Sequence, residues 1–336
     1  MGINMEFRDY VRQEVRSTRG IEIGPSYRPI AAKRDGFKTV IIDHASAEDL
    51  KTKYSDRSEN VELTEHVDVV WREGTLEKSF DASEHGTFEW IIASHVIEHV
   101  PDIITFLQSC ETLLSPTGRL FLAVPDKRRT FDFVKSPLDI SLAMERFQEK
   151  RTRHAYSTVF SAYNDHVIVG KGRRGDWGVL PIDTIQLASN PISAKKIADE
   201  SHDAAEYFDC HANYLTPASF GLLLLEMRFL GLTSFDGDVR PTQGCEFFAE
   251  LQSGTQSTLS LEQYQQKKTR YRIAMFEEIE DQIRRLKESD KWRDYASIKD
   301  ESVTVSSQPA SSSAKKSIMG FLRRPKSGVA RIDSSR

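Results

Sequence analysis

The sequence is short of cysteine, of long apolar runs and of surplus charge, and each shortage excludes something. Its three cysteines (Cys110, Cys210, Cys245) are scattered through 336 residues with no metal-type spacing. One is necessarily unpaired within the chain, which fits a reducing cytosol better than a disulfide scaffold. The expected location is cytoplasmic. No apolar stretch approaches the ~20 residues of a membrane span. The opening MGINMEFRDYVRQEV carries charges and no apolar core, so it does not read as a secretory signal. Glu6 stands where a myristoylation signal asks for Ser or Thr. Lysine and arginine number 46 against 50 acids, a net charge of -4 with a pI near 6.2. That balance leaves no footprint for nucleic acid, and none is expected as a partner. A hydrophobic content of 39% is low for an all-globular chain and points to a folded part plus a polar appendage. There are no internal repeats.

What is present is organised around residues 88–132. Trp90, Ile91, Ile92 and Ala93 form an apolar run too short for a helix, hence a buried strand, ending in Ser94 and His95. From Ile97 to Leu114 apolar residues recur at helical spacing, and Ser115-Pro116-Thr117-Gly118 is expected to stop that helix. A second apolar run, residues 120–124, ends in Pro125-Asp126-Lys127-Arg128. Strand, helix and strand without alternation in either strand predict parallel pairing with both faces covered. Ligands of such sheets bind beyond the carboxyl ends of the strands, where His95, Glu98, His99, Asp126 and Lys127 fall.

This stretch resembles a known family. Ser94-His95-Val96-Ile97-Glu98-His99-Val100-Pro101-Asp102, followed by Leu113-Leu114-Ser115-Pro116-Thr117-Gly118-Arg119-Leu120, is similar to the middle of the class I S-adenosylmethionine (SAM)-dependent methyltransferases, nearest the branch holding the ubiquinone-biosynthesis enzymes. The continuation, residues 123–132, resembles bacterial members found with glycosyltransferases in surface-polysaccharide synthesis. The resemblance covers roughly residues 19–252. It implies a Rossmann-like α/β fold, a mostly parallel seven-stranded sheet with an antiparallel last strand, SAM as cofactor, and a sugar or glycan hydroxyl as acceptor. A glycosyltransferase partner follows from the same likeness. A quinone, lipid or other small-molecule acceptor stays open, as does a catalytically degenerate scaffold.

Taken in order, residues 5–16 predict a short helix with Phe7, Tyr10, Val11 and Val15 inward. Arg19 to Gly24 is a first strand running into a turn that begins at Pro25. In the family the acid two places before the first glycine orients the methionine part of SAM, and Glu22 and Gly24 occupy those places; the usual later glycines are replaced by Ser26 and Arg28. A second strand ends in Asp43 and His44. An acid there can accept from both ribose hydroxyls, or can cap the helix that follows. After a third strand comes Trp71, where the family contacts adenine; a stacking wall and a half-buried core residue are both open readings. The cofactor set expected from the resemblance is therefore Glu22, Gly24, Pro25, Asp43, His44, Trp71, Ser94 and His95.

Residues 135–208 break the pattern and are expected to form a cap over the acceptor, within a domain spanning residues 1–254. Lys171, Arg173 and Arg174 lie in a glycine-rich loop there, either binding an acidic group or simply solvated. Thr216-Pro217 predicts an N-cap and first turn for a helix ended by Gly231, before two strands that must pair antiparallel. Residues 255–298 form an amphipathic helix whose stripe calls for self-association, as a short coiled coil, or docking on the domain. Residues 299–336 are Ser-rich and expected to be disordered. From 301 on they hold seven basic against two acidic residues, open to weak contact with an anionic membrane face or to mere solubilisation.

Methyl transfer to a hydroxyl needs alignment and a proton acceptor. The catalytic expectation is His211, His95 and Asp126, with Asp209 orienting His211. No metal is expected. His95, Glu98 and His99, at i, i+3 and i+4, remain candidate ligands because a Glu-x-x-Glu-His arrangement holds a divalent ion in some relatives.

Overall fold

The computed structural model describes residues 5–55, 60–72, 74–165, 167–169, 185–187, 190–204, 207–254 and 259–287. The loop carrying Lys171, Arg173 and Arg174, and the basic tail beyond residue 299, lie outside the described residues.

Helix α1 (Met5–Glu14) precedes β1 (Arg19–Ile23) and β2 (Lys38–Asp43), then α2 (Ala47–Tyr54) and the short β3 (Val69–Val70). Next come β4 (Phe88–Ser94), α3 (Ile103–Leu113) and β5 (Leu114–Pro125). These five strands pair in parallel in the order β3-β2-β1-β4-β5. The apolar runs that predicted strands are buried on both faces: Trp90, Ile91, Ile92 and Ala93 are each at most 1% exposed. Burial of that kind contributes roughly 1.5–3 kcal/mol per large side chain.

The helix expected from Ile97 starts later. Pro101 forces the preceding residue into extended backbone (Val100 ψ 134°), so Ile97–His99 forms only one 3-10 turn. Asp102 then caps α3, accepting from the backbone N–H groups of Ile104 and Thr105. Its end falls as expected, at Leu113 just before Ser115-Pro116-Thr117-Gly118, and that segment runs straight into β5. The consequence is functional, because His95, Glu98 and His99 come together on a tight turn and not along a helix.

The insertion holds α4 (Ile140–Gln148), α5 (Tyr156–Asn164), a two-stranded antiparallel ribbon of β6 (Val167–Val169) and β7 (Ile185–Leu187), and α6 (Pro191–Asp203). Helix α7 (Pro217–Phe229) begins at the predicted Thr216 cap, and Gly231 at φ 71° follows its C-terminus. The hairpin of β8 (Phe235–Val239) and β9 (Glu246–Ser253) then completes the sheet, β9 slotting antiparallel against β5. Phe7, Val11 and Val15 of the α1 segment pack with Trp90, Ile92, Phe121 and Phe248 on one face of the sheet. Helices α3 and α7 cover the other. Finally α8 (Leu261–Lys287) packs on α7, with Tyr264 stacked on Phe229 at 4.1 Å. Among the described residues no helix is long and apolar enough to cross a membrane.

Candidate active site

The ends of the first two strands build a tight turn. Gly24 takes φ 63° while its N–H bonds Ile42 O at 2.7 Å. Ser26, where the resemblance asks for a glycine, also has a left-handed φ of 49°. That conformation costs a residue with a side chain roughly 1–2 kcal/mol, and Asp43 helps to hold it. Asp43 Oδ2 accepts from Ser26 N at 3.3 Å, and Oδ1 accepts from His44 N at 2.8 Å. The His44 ring leans back on the same carboxylate, Nδ1 to Oδ1 at 2.7 Å. Pro25 opens the turn, its carbonyl accepting from Arg28 N at 3.0 Å. Glu22 spends its oxygens on Ile30 N (2.5 Å) and Ala31 N (2.9 Å). It therefore shapes the turn from beneath, and burial pushes its pKa up to about 7. Trp71 serves as wall and core at once: half-buried, it stacks on Phe106 at 6.5 Å and donates through Nε1 to Gly74 O.

The second group surrounds the 3-10 turn. Ser94 closes β4, and His95 follows with φ 55° and its N–H on Ala123 O. The His95 ring Nε2 lies 2.7 Å from Glu246 Oε2, and Nδ1 lies 3.6 Å from Glu98 Oε1. Burial opposes charge on His95, but the Glu246 hydrogen bond and the Glu98 charge outweigh it and raise the pKa. His99 behaves alike: burial is overcome by Asp209, whose Oδ1 is 2.8 Å from Nδ1, and by Glu98. Asp209 is held well below the usual carboxylate range, since its bond to His99 outweighs burial.

Segment 209–216 crosses beside this turn because Asn213 pins it there. Asn213 Nδ2 donates to Ile97 O and Val100 O, both at 2.8 Å, and Oδ1 accepts from Arg146. Glu98 O accepts from Ala212 N and Asn213 N. The His211 ring is thereby brought within 4.6 Å of the His99 ring, edge to face. Its Nδ1 donates to Asp132 Oδ2 at 2.6 Å, which leaves Nε2 with its lone pair. From the cap, Tyr207 donates to His99 O at 2.8 Å, and His154 Nε2 donates to the Tyr207 hydroxyl at 3.2 Å.

Glu98, His99 and His211 present ligand atoms all within 4.8 Å of one another. Glu98 is 2% exposed, and neither of its oxygens has a hydrogen-bond partner. A buried carboxylate without a hydrogen-bond partner beside two imidazoles is a donor set that a divalent cation can take, and Asp132 and Asp209 hold the two rings from behind. The expected triplet is corrected here. His95 is turned to Glu246, and His211 fills its place.

Residues 6–167 match the family described as a methyltransferase domain. That match takes in just under half of the chain. The cofactor of the domain is S-adenosyl-L-methionine. Human mitochondrial ubiquinone biosynthesis O-methyltransferase is 35% identical over 94 residues, 28% of this chain and 24% of that protein. The Caulobacter vibrioides ubiquinone biosynthesis O-methyltransferase is 36% identical over 90 residues, 27% of this chain and 33% of that protein. The chain thus spans a quarter to a third of the curated relatives it matches. The CcbJ methyltransferase from Streptomyces caelestis aligns over 74% of this chain and 94% of that one, at 11% identity and a TM-score of 0.38.

At this site, two expectations need correction. Asp126 is fully buried, its oxygens taken by Arg128 N and Nε (2.9 Å each), Arg128 Nη2 (2.5 Å) and Thr242 Oγ1. It caps the turn after β5 and has no place in proton transfer. Asp209 does not orient His211; it pairs with His99. The residues sequence reasoning missed are Asp132, Glu246, His154 and Tyr207. Asp132 lay in the quoted strand-end run, but its partner is 79 positions away.

Proposed function

We propose that the chain transfers the methyl group of SAM to a hydroxyl oxygen of a ring-bearing small molecule seated beneath the cap. The observation that carries this reading is the His211–Asp132 pair, an oriented imidazole with an open Nε2 beside the strand ends. SAM, when bound, supplies an electrophilic methyl on a sulfonium. The chain's own residues do the remaining work. Asp43 and the Gly24–Ser26 turn offer the ribose and methionine contacts, and Trp71 the wall for the adenine. His211 Nε2 takes the hydroxyl proton as the oxygen turns nucleophilic, and Asp132 stabilises the imidazolium that forms. Phe131, whose ring lies 4.7 Å from His211, with Tyr207 and His154, favours a flat phenolic acceptor. The curated relatives, named as ubiquinone-biosynthesis O-methyltransferases, agree with an oxygen acceptor. They lend nothing to a glycan, to a glycosyltransferase partner or to self-association.

Calorimetry with SAM and with S-adenosyl-L-homocysteine, followed by labelled methyl transfer to simple phenols and sugars, tests the proposal. Micromolar binding of both, with label on a phenol that His211→Ala no longer labels, supports it. Failure to bind either leaves the scaffold reading. A second reading rests on the orphaned Glu98 oxygens: a divalent cation held by Glu98, His99 and His211 would supply Lewis acidity at the acceptor oxygen. Zinc or magnesium titrated calorimetrically should bind the native chain and not Glu98→Gln; equal binding by both removes the site.

A further inference from the structure

We infer that α8, which lies beyond the matched residues 6–167, holds the His211–Asp132 pair in register through Glu278 and Gln282. This rests on the reading of that pair as the catalytic dyad.

Asp132 sits in a turn, not a strand. Its Oδ2 accepts the hydrogen bond from His211 Nδ1–H, while its Oδ1 has no hydrogen-bond partner. Beyond the His211 bond, the carboxylate is positioned by the backbone of the turn. Lys135 N donates to Asp132 O at 2.8 Å, and Phe133 N to Thr130 O at 3.1 Å. The Phe133 carbonyl, one residue on from Asp132, accepts from Gln282 Nε2 of α8 at 2.7 Å as well as from Lys127 Nζ at 3.1 Å. Leu286, one turn further along α8, packs on the Phe131–Phe133 cluster. One side of the dyad is thus clamped by the last two turns of α8.

The other side is clamped one turn earlier. Segment 209–216 carries His211 into α7, and Thr216 is the N-cap of that helix. Glu278 accepts from Thr216 Oγ1 at 2.5 Å and from Ala218 N at 3.1 Å. A carboxylate supplied by a second helix thereby satisfies an N–H that α7 cannot bond itself. Glu278 and Gln282 are four residues apart and project from one face. A single rigid helix therefore spans both strands of backbone that bring the imidazole and its carboxylate together. A mere stabilising helix would need contact with only one of them.

The variants Glu278→Ala and Gln282→Ala, singly and together in the full chain, test this by proton NMR. The Nδ1–H of His211, shared with Asp132, should give a downfield resonance that is absent from His211→Ala. We expect the double variant to lose that resonance while SAM affinity stays within about twofold, since the bonds of Glu278 and Gln282 described above go to Thr216, Ala218 and Phe133 and not to the cofactor turn. Glu278→Gln, which keeps an acceptor for Thr216 and Ala218, should retain it. If the double variant binds SAM and keeps the resonance unchanged, the inference is wrong. If SAM affinity collapses with it, α8 is a general support only. If the native chain lacks a resonance that depends on His211, the dyad reading itself fails, and the two failures are told apart. Should the double variant not fold, the single variants decide by the same signal.

Discussion

His211 Nδ1 and Asp132 Oδ2 meet at 2.6 Å across 79 positions of chain, from opposite ends of the cap insertion. Both flanks of that insertion reach the same spot: Asp132 leaves β5, and His211 leads into α7. The dyad consequently forms only when the insertion is closed at its base. Formation of the pair and folding of the cap's base become one event.

That coupling gives the first prediction. His211→Ala should lower turnover about 10²–10⁴-fold, the usual worth of a positioned base. Asp132→Asn should fall in the same direction by less, because the imidazole remains but loses the acceptor that fixes its tautomer. SAM affinity, measured calorimetrically, should hold in both. An Asp132→Asn enzyme with full turnover would show the pair to be packing alone.

Asp43 governs the cofactor turn by a different route. Its carboxylate is 4% exposed and already bonded to Ser26 and His44. Removing it deletes a charged acceptor and releases Ser26 from its left-handed backbone. Asp43→Ala should cost about 1.5–3 kcal/mol of SAM binding, while the fold persists. An unchanged dissociation constant takes Asp43 out of the site.

The strands were legible because burial on two faces leaves an unbroken apolar run, as at Trp90–Ala93. The turn at Ile97–His99 was misread although Pro101 and Asp102 both announced it, since helical periodicity ran on across them. Asp126 looked catalytic because strand-end position is visible in sequence and the Arg128 guanidinium that encloses it is not. Residues 255–298 illustrate the same limit. Periodicity says that Tyr264, Tyr271 and Leu286 need a surface, but only the fold says that the surface is α7 and the Phe133 turn. Docking on the domain is one of the two readings that the stripe left open, and these contacts are of that kind.

Close approach of α8 to α7 can be tested at Gly221. A Cβ there would lie 2.4 Å from Tyr271 Cε1. In an open helix Gly→Ala is stabilising by roughly 0.8–1 kcal/mol. Here overpacking should reverse the sign, costing about 1–3 kcal/mol. Thermal melting should show a lower midpoint for Gly221→Ala, and Tyr271→Ala in the same chain should relieve it. A Gly221→Ala protein that melts higher than the native chain would mean that α8 does not lie on α7 in solution.

The cap should respond to acid through His154. Burial, followed by the charges of Arg146 and His99, lowers its pKa to about 4. The geometry agrees, because Tyr207 gives its proton to His99 O and so must accept from His154 Nε2, as a neutral imidazole allows. Between pH 6.5 and 4 the unfolded chain therefore binds a proton that the folded chain refuses, and stability falls as pH falls through that window. His95 and His99, with raised pKa values, act oppositely: they favour the fold at low pH and lose that contribution as pH rises. A variant comparison separates the two. His154→Gln keeps a donor for Tyr207 and cannot take up a proton. Lowering the pH from 7 to 5 should reduce the urea midpoint of the native chain more than that of His154→Gln. Parallel curves for the two proteins would show that His154 is as free to charge in the folded chain as in the unfolded one.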